Sequence, residues 1–97
     1  EHTPMNVPVY IVEDSYRKQN DNLSWDEYAH AIKSVHKNRE DALKVLRDIY
    51  NSVIHDHRIY DTKLDEDAYS PYVSYCWKNA EGIQYEVFVE IIARDLI

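Results

Sequence analysis

The residues best suited to chemistry are His55-Asp56-His57, with Asp61 four positions on. Two imidazoles at i and i+2 can share a metal ion on a strand or turn, but a site needs one or two further ligands. His30 and His36 supply these only if the fold brings them near. The competing reading is a helix end whose His and Arg58 side chains complement the negative pole of the helix dipole. Asp61 to Asp67 reads Asp-Thr-Lys-Leu-Asp-Glu-Asp and lacks the glycine and closing glutamate of a calcium loop. It reads as a solvated acidic loop suited to a partner's Lys or Arg cluster. Cys76 is the sole cysteine, so no disulfide can form within the chain. A strand register that sets it opposite Glu86 makes it a poor nucleophile, because a carboxylate disfavours the thiolate. Glu86 and Glu90 could do acid–base work only inside a cleft. No glycine-rich phosphate loop, Ser–His–Asp set or zinc motif occurs. These residues imply no cofactor, no metal and no catalytic centre.

The aromatic residues carry a stronger signal. Nine Tyr and two Trp stand against one Phe, a skew toward rings with a polar tip. Alternation puts Tyr72 and Phe88 on one face of a hairpin, interleaved with Glu86 and Glu90. Aromatic anchors on a polar sheet face have the composition of a protein-binding hot spot. The expected partner-binding residues are therefore Tyr72, Phe88, Glu86 and Glu90, joined by Asp61, Asp65, Glu66 and Asp67.

Charge narrows the partner. The 97-residue chain carries a net charge of −7, unevenly spread. Residues 59–92 hold seven acids and two bases, whereas residues 33–47 hold five bases and two acids. Nucleic-acid binding needs a basic face, so the expected partner is a protein with a basic surface, without direct contact to nucleic acid. No apolar run approaches the roughly 20 residues needed to span a bilayer, and the absence of disulfide staples points to a reducing, cytoplasmic setting. Glu1-His2-Thr3-Pro4 precedes the only methionine and reads as a cloning remnant, leaving residues 5–97 as one domain.

The elements that must position these residues follow from local pattern. Val7 to Ser15 is β-branched and aromatic, and reads as a strand with Pro8 at its start. Residues 17–22 read as a loop. Ala42, Leu43, Leu46, Ile49, Tyr50, Val53 and Ile54 form a three- and four-spaced apolar stripe, which predicts a helix over 39–55 capped by Asn38, with Glu40 and Lys44 paired on its outer side. Residues 57–70 show no sustained period and read as a connecting loop. The stretch 72–92 is a hairpin whose Asn79-Ala80-Glu81-Gly82 turn sets Trp77 opposite Tyr85, Tyr75 opposite Val87 and Val73 opposite Val89. This places Trp77, Tyr75 and Tyr85 in the core beneath the helix.

Residues 24–37 are ambiguous. Ser24 and Glu27 have capping-box spacing, and Tyr28, Ile32 and Val35 recur at helical spacing. Val9-Tyr10-Ile11-Val12, the run Ser34 to Leu43 and the acidic, Tyr-rich hairpin resemble small phage and prophage proteins of unknown function. That resemblance implies a second strand at 31–36 and brings no functional residues with it. The expected fold is thus α+β: a small antiparallel sheet of strand 7–15 plus hairpin 72–92, packed on helix 39–55, with 24–37 either a second helix or a fourth strand. The function this suggests is a non-catalytic protein-binding module, an acidic inhibitor or modulator of a host protein encoded by a phage or mobile element. The anti-defence or nucleic-acid-mimic type is one form of it. Two alternatives are a small metal-dependent or hydrolytic enzyme built on His55 and His57, and a homo-oligomeric accessory protein.

Overall fold

The computed structural model describes residues 7–19, 22 and 24–96. The reading of residues 1–4 as a remnant lies outside them. The elements are β1 (Val7–Gln19), β2 (Trp25–His36), α1 (Arg39–Val53), β3 (Ile59–Asp65), β4 (Tyr72–Lys78) and β5 (Gln84–Leu96). The strands form one antiparallel sheet in the order β2-β1-β5-β4-β3.

This corrects the expected α+β architecture. Among the described residues the protein is mainly β, with five strands and a single helix. Of the two alternatives for 24–37 the strand holds, over Trp25–His36. The segment 57–70 contains another strand, and β1 runs on to Gln19 through residues expected to be loop. Two β-bulges explain the misleading period of β2. Its register against β1 shifts between Val12 and Glu13, so Ile32 faces Glu13 while Val35 faces Ile11. Lys33 is the extra residue. Ile32 and Val35 thereby share a face despite their spacing of three, a spacing that otherwise suggests a helix. In β3, Asp61 adopts φ 53° and the pairing with β4 slips between Tyr60 and Lys63, which erases the alternation a regular strand would show.

The β4–β5 hairpin has the expected register: Val73 faces Val89, Tyr75 faces Val87 and Trp77 faces Tyr85. Its turn closes through Gly82 N donating to the Asn79 carbonyl at 3.0 Å. The Asn79 side-chain oxygen accepts from the amides of Glu81 and Ile83 at 2.9 and 3.0 Å. Gly82 sits at φ 83°, a left-handed conformation that strains any residue bearing a Cβ.

α1 lies across one face of the sheet. Ala42, Leu43 and Leu46 pack against Val12, Val73, Val89 and Ile91, and all seven are buried. Trp77 and Tyr85 lie on the same face and stack at 4.4 Å between centroids, but they sit outside this buried cluster and are only half-buried. The geometry of cover explains it. A 15-residue helix spans about 22 Å, whereas 13-residue strands reach about 43 Å, so the helix cannot shield the far end of the sheet.

The helix termini also differ from expectation in detail. Asn38 occupies the N-cap position without making a side-chain cap bond, and its amide instead donates to Asp41 at 3.3 Å. Glu40 pairs with Arg47 rather than Lys44, at 3.2 Å. The helix stops at Val53, short of the expected 55, so His55 and Arg58 fall in the following turn.

Candidate protein-docking face

The face of the sheet turned away from α1 is assembled by register. Val89, Ile91, Val12 and Val73 point to the helix, so their strand neighbours point away. One cross-strand row on that side runs Asp65, Tyr72, Glu90, Glu13 and Ile32, contributed by β3, β4, β5, β1 and β2 in turn. It gathers three carboxylates and one aromatic ring. Directly opposed like charges destabilise a sheet, and the Glu13 carboxylate contacts the His30 imidazole on β2. Glu90 has no ion-pair partner among the described residues.

Next to this row lies an open trough of about 570 Å³, lined by residues that include Ser15, Arg17, Trp25, Tyr72, Ser74 and Phe88. The small side chains of Ser15 and Ser74, with the Ser15 hydroxyl donating to the Phe88 carbonyl at 3.3 Å, keep it low between taller rings. Tyr72 and Phe88 stack with centroids 4.9 Å apart. Across the trough, the Arg17 guanidinium lies 4.7 Å from the Trp25 ring centre and holds Glu86 at 2.6 Å. On the outer side, the Lys63 ammonium lies 5.7 Å from the Tyr72 ring. Three aromatic rings and two cation–π contacts therefore ring one shallow opening. Such rigid amphipathic groups can bury area against a partner with little loss of side-chain entropy.

The expected site residues divide into two sets. Tyr72, Phe88, Glu86, Glu90 and Asp65 share this face. Glu66 does not, because Arg47 of α1 grips it at 2.5 and 3.0 Å, and hydrogen bonds from that guanidinium depress its carboxyl pKa. Asp61 occupies the β3 bulge, and Asp67 is exposed in the turn after β3. The Asp65 carboxylate also has a local structural task, accepting the amides of Asp67 and Ala68, each at 3.0 Å. Local sequence did not reveal Glu13, Arg17 or Trp25 as members of the site. The polar residues Glu13, Ser15 and Arg17 alternate with Val12 and are the signal that could have marked a solvent-side row, but only the long-range β1–β5 pairing sets them beside Phe88.

His55 and His57 lie in the turn that follows α1. Asp56 binds Arg58 through two side-chain contacts at 2.8 and 3.0 Å, and those hydrogen bonds hold its carboxyl well below the ordinary range. No cluster of three or more His, Cys, Asp or Glu suited to a metal ion occurs among the described residues. Cys76 pairs with Glu86 as register required, yet it is buried, and burial first and Glu86 second push its thiol pKa up. Its β3 neighbour Tyr60 has its hydroxyl enclosed without a hydrogen-bond partner among the described residues, and burial raises that pKa as well. Among the described residues no helix is long and apolar enough to cross a membrane. Comparison with known protein families, curated proteins and solved structures gives no match to this chain.

Proposed function

We propose that this protein is a non-catalytic binding module that docks a basic protein surface on the helix-free side of its sheet. The observation that carries the reading is the stacked Tyr72–Phe88 pair beside the trough shared with Trp25, on a sheet face that α1 leaves uncovered. Packed aromatic groups at the centre of a surface are the usual seat of binding energy. The surrounding carboxylates Glu86, Glu90 and Asp65 supply the charge that selects a basic partner and steers its approach. The acidic balance of the chain acts in the same sense at longer range. An inhibitor or modulator of a host protein, encoded by a phage or mobile element, is the biological form that suits a small acidic module of this kind.

The test is capture of binding proteins on immobilised parent protein, followed by a direct isotherm on each captured partner with the variant Tyr72→Ser/Phe88→Ser. Loss of each anchor costs typically 2 kcal/mol or more, so affinity should fall by about three orders of magnitude. Raising salt should slow association, in proportion to the charge carried by the acidic row. A double variant that binds as tightly as the parent rules the face out.

A further inference from the structure

The opposite end of the same face is apolar. Ile11, Val35 and Ile92 face one another across β1, β2 and β5, with Ile32 one step along β2 and Val7 at the start of β1. Three of these are exposed, Val7 at 50%, Ile32 at 64% and Val35 at 56%. Ile32 and Val35 stand exposed side by side next to half-buried Ile11 and Ile92, with Val9 between Val7 and Ile11 already buried. Such exposed β-branched side chains mark a surface that something covers. The charges around it identify the occupant.

Along β5, Arg94, Ile92 and Glu90 lie on this face at intervals of two residues, with Ile92 in the middle. Neither Arg94 nor Glu90 has an ion-pair partner among the described residues. The patch is therefore apolar at its centre, basic on one side and acidic on the other, which makes it complementary to itself. Consider a twofold axis lying in the plane of contact and crossing the strands at Ile11 and Ile92. It reverses direction along the strands and preserves order across them. Ile92 then meets Ile92 of the second copy, while Arg94 of each copy lies over Glu90 of the other. An isologous interface repeats every contact twice, so one sequence pattern supplies both ion pairs.

We propose that a second copy of this chain covers this patch, giving a twofold dimer with its two sheets packed face to face and its two helices outside. Sheets pack in this way about 10 Å apart and within about 30° of parallel. The overlap is confined to the β1 start and β5 end of each sheet. Trp25, Arg17 and Glu86 lie farther along the strands, so each extremity of the dimer would keep that end of the trough open. Glu90 would then belong to the self-contact, leaving Glu86 and Asp65 as the acids available to another protein. The dimer shares Glu90 with the docking proposal and is otherwise built on Ile11, Val35, Ile92 and Arg94. A monomeric parent therefore still leaves Tyr72 and Phe88 to be tested by capture, and a failed capture still leaves the dimer to be tested by mass.

The experiment is light scattering of the purified protein across a wide concentration range, with charge-reversal variants. The parent should have twice the chain mass of 11.6 kDa. Arg94→Glu sets like charges against Glu90 of the second copy and should weaken the dimer by about a hundredfold. Combining Arg94→Glu with Glu90→Arg restores opposite charges at both contacts and should restore the dimer. Val35→Asp should give a monomer. Arg94 and Val35 are both exposed, so these variants should melt as the parent does at concentrations where both are monomeric. A monomeric parent, a dimer indifferent to Arg94→Glu, or a double reversal that fails to restore association would each overturn the proposal.

Discussion

The two faces of this sheet are built from the same five strands and have opposite character. The helix side, where α1 reaches, is dry and aliphatic, with Val12, Leu46 and Val73 at 0% exposure. The other side carries carboxylates, stacked aromatic rings, cation–π contacts and exposed Ile32 and Val35. The difference teaches where stability resides, and it is the basis on which we propose where recognition occurs. Burial behind α1 holds the fold, and the surface that α1 does not cover is the one proposed for recognition. Where the helix runs out, the helix side itself grades into half-buried aromatic pairs such as Trp77 and Tyr85.

If that division is right, mutations should separate by face. Leu46→Ala opens a cavity in the closed cluster and should cost about 2–5 kcal/mol by denaturant unfolding. A loss under about 1 kcal/mol would mean the core is looser than its burial indicates. Trp77→Ala sharpens the comparison, because this ring is on the helix side but beyond full cover. It should cost about 1–3 kcal/mol, below the 3–5 kcal/mol typical of a fully enclosed aromatic. A cost at or above Leu46→Ala would show that the two ends are equally closed.

Gly82→Val tests the hairpin on which both faces depend. No atom lies within 4 Å of an added Cβ, so the left-handed backbone alone is responsible for the penalty. About 1–2 kcal/mol is expected, read from the melting temperature. An unchanged melting temperature would indicate that the turn rearranges at no cost. The smallest effect should come from Asn38→Ala. Its side chain makes no cap bond, only the contact with Asp41, so the loss should be under about 0.5 kcal/mol rather than the roughly 1 kcal/mol of a working cap.

Legibility followed the range of the interactions. The β4–β5 hairpin could be read because its turn and its apolar pairs are local and agree with each other. The α1 stripe from Ala42 to Val53 was readable for the same reason. Membership of Tyr72, Phe88, Glu86 and Glu90 in one face came with that register. β2 was not decided, because the extra residue at Lys33 converts a two-residue period into the spacing of a helix. β3 was missed because the slip after Tyr60 breaks its alternation and its acids suggest a loop. The parts contributed by Glu13, Arg17 and Trp25 depended on pairing β1 with a strand some seventy residues away, which no local pattern encodes.

The central claim is that the helix-free face is for binding and not for stability, and one pair of measurements on Tyr72→Ser/Phe88→Ser tests it directly. The variant should unfold within about 1 kcal/mol of the parent, since both rings are only half-buried and lie on the opposite face of the sheet from the cluster around Leu46. It should at the same time lose about a thousandfold in affinity for a protein captured by the parent. A variant that unfolds would make the stacked pair a second core, and a stable variant that binds undiminished would make the face a bystander; either result contradicts the account.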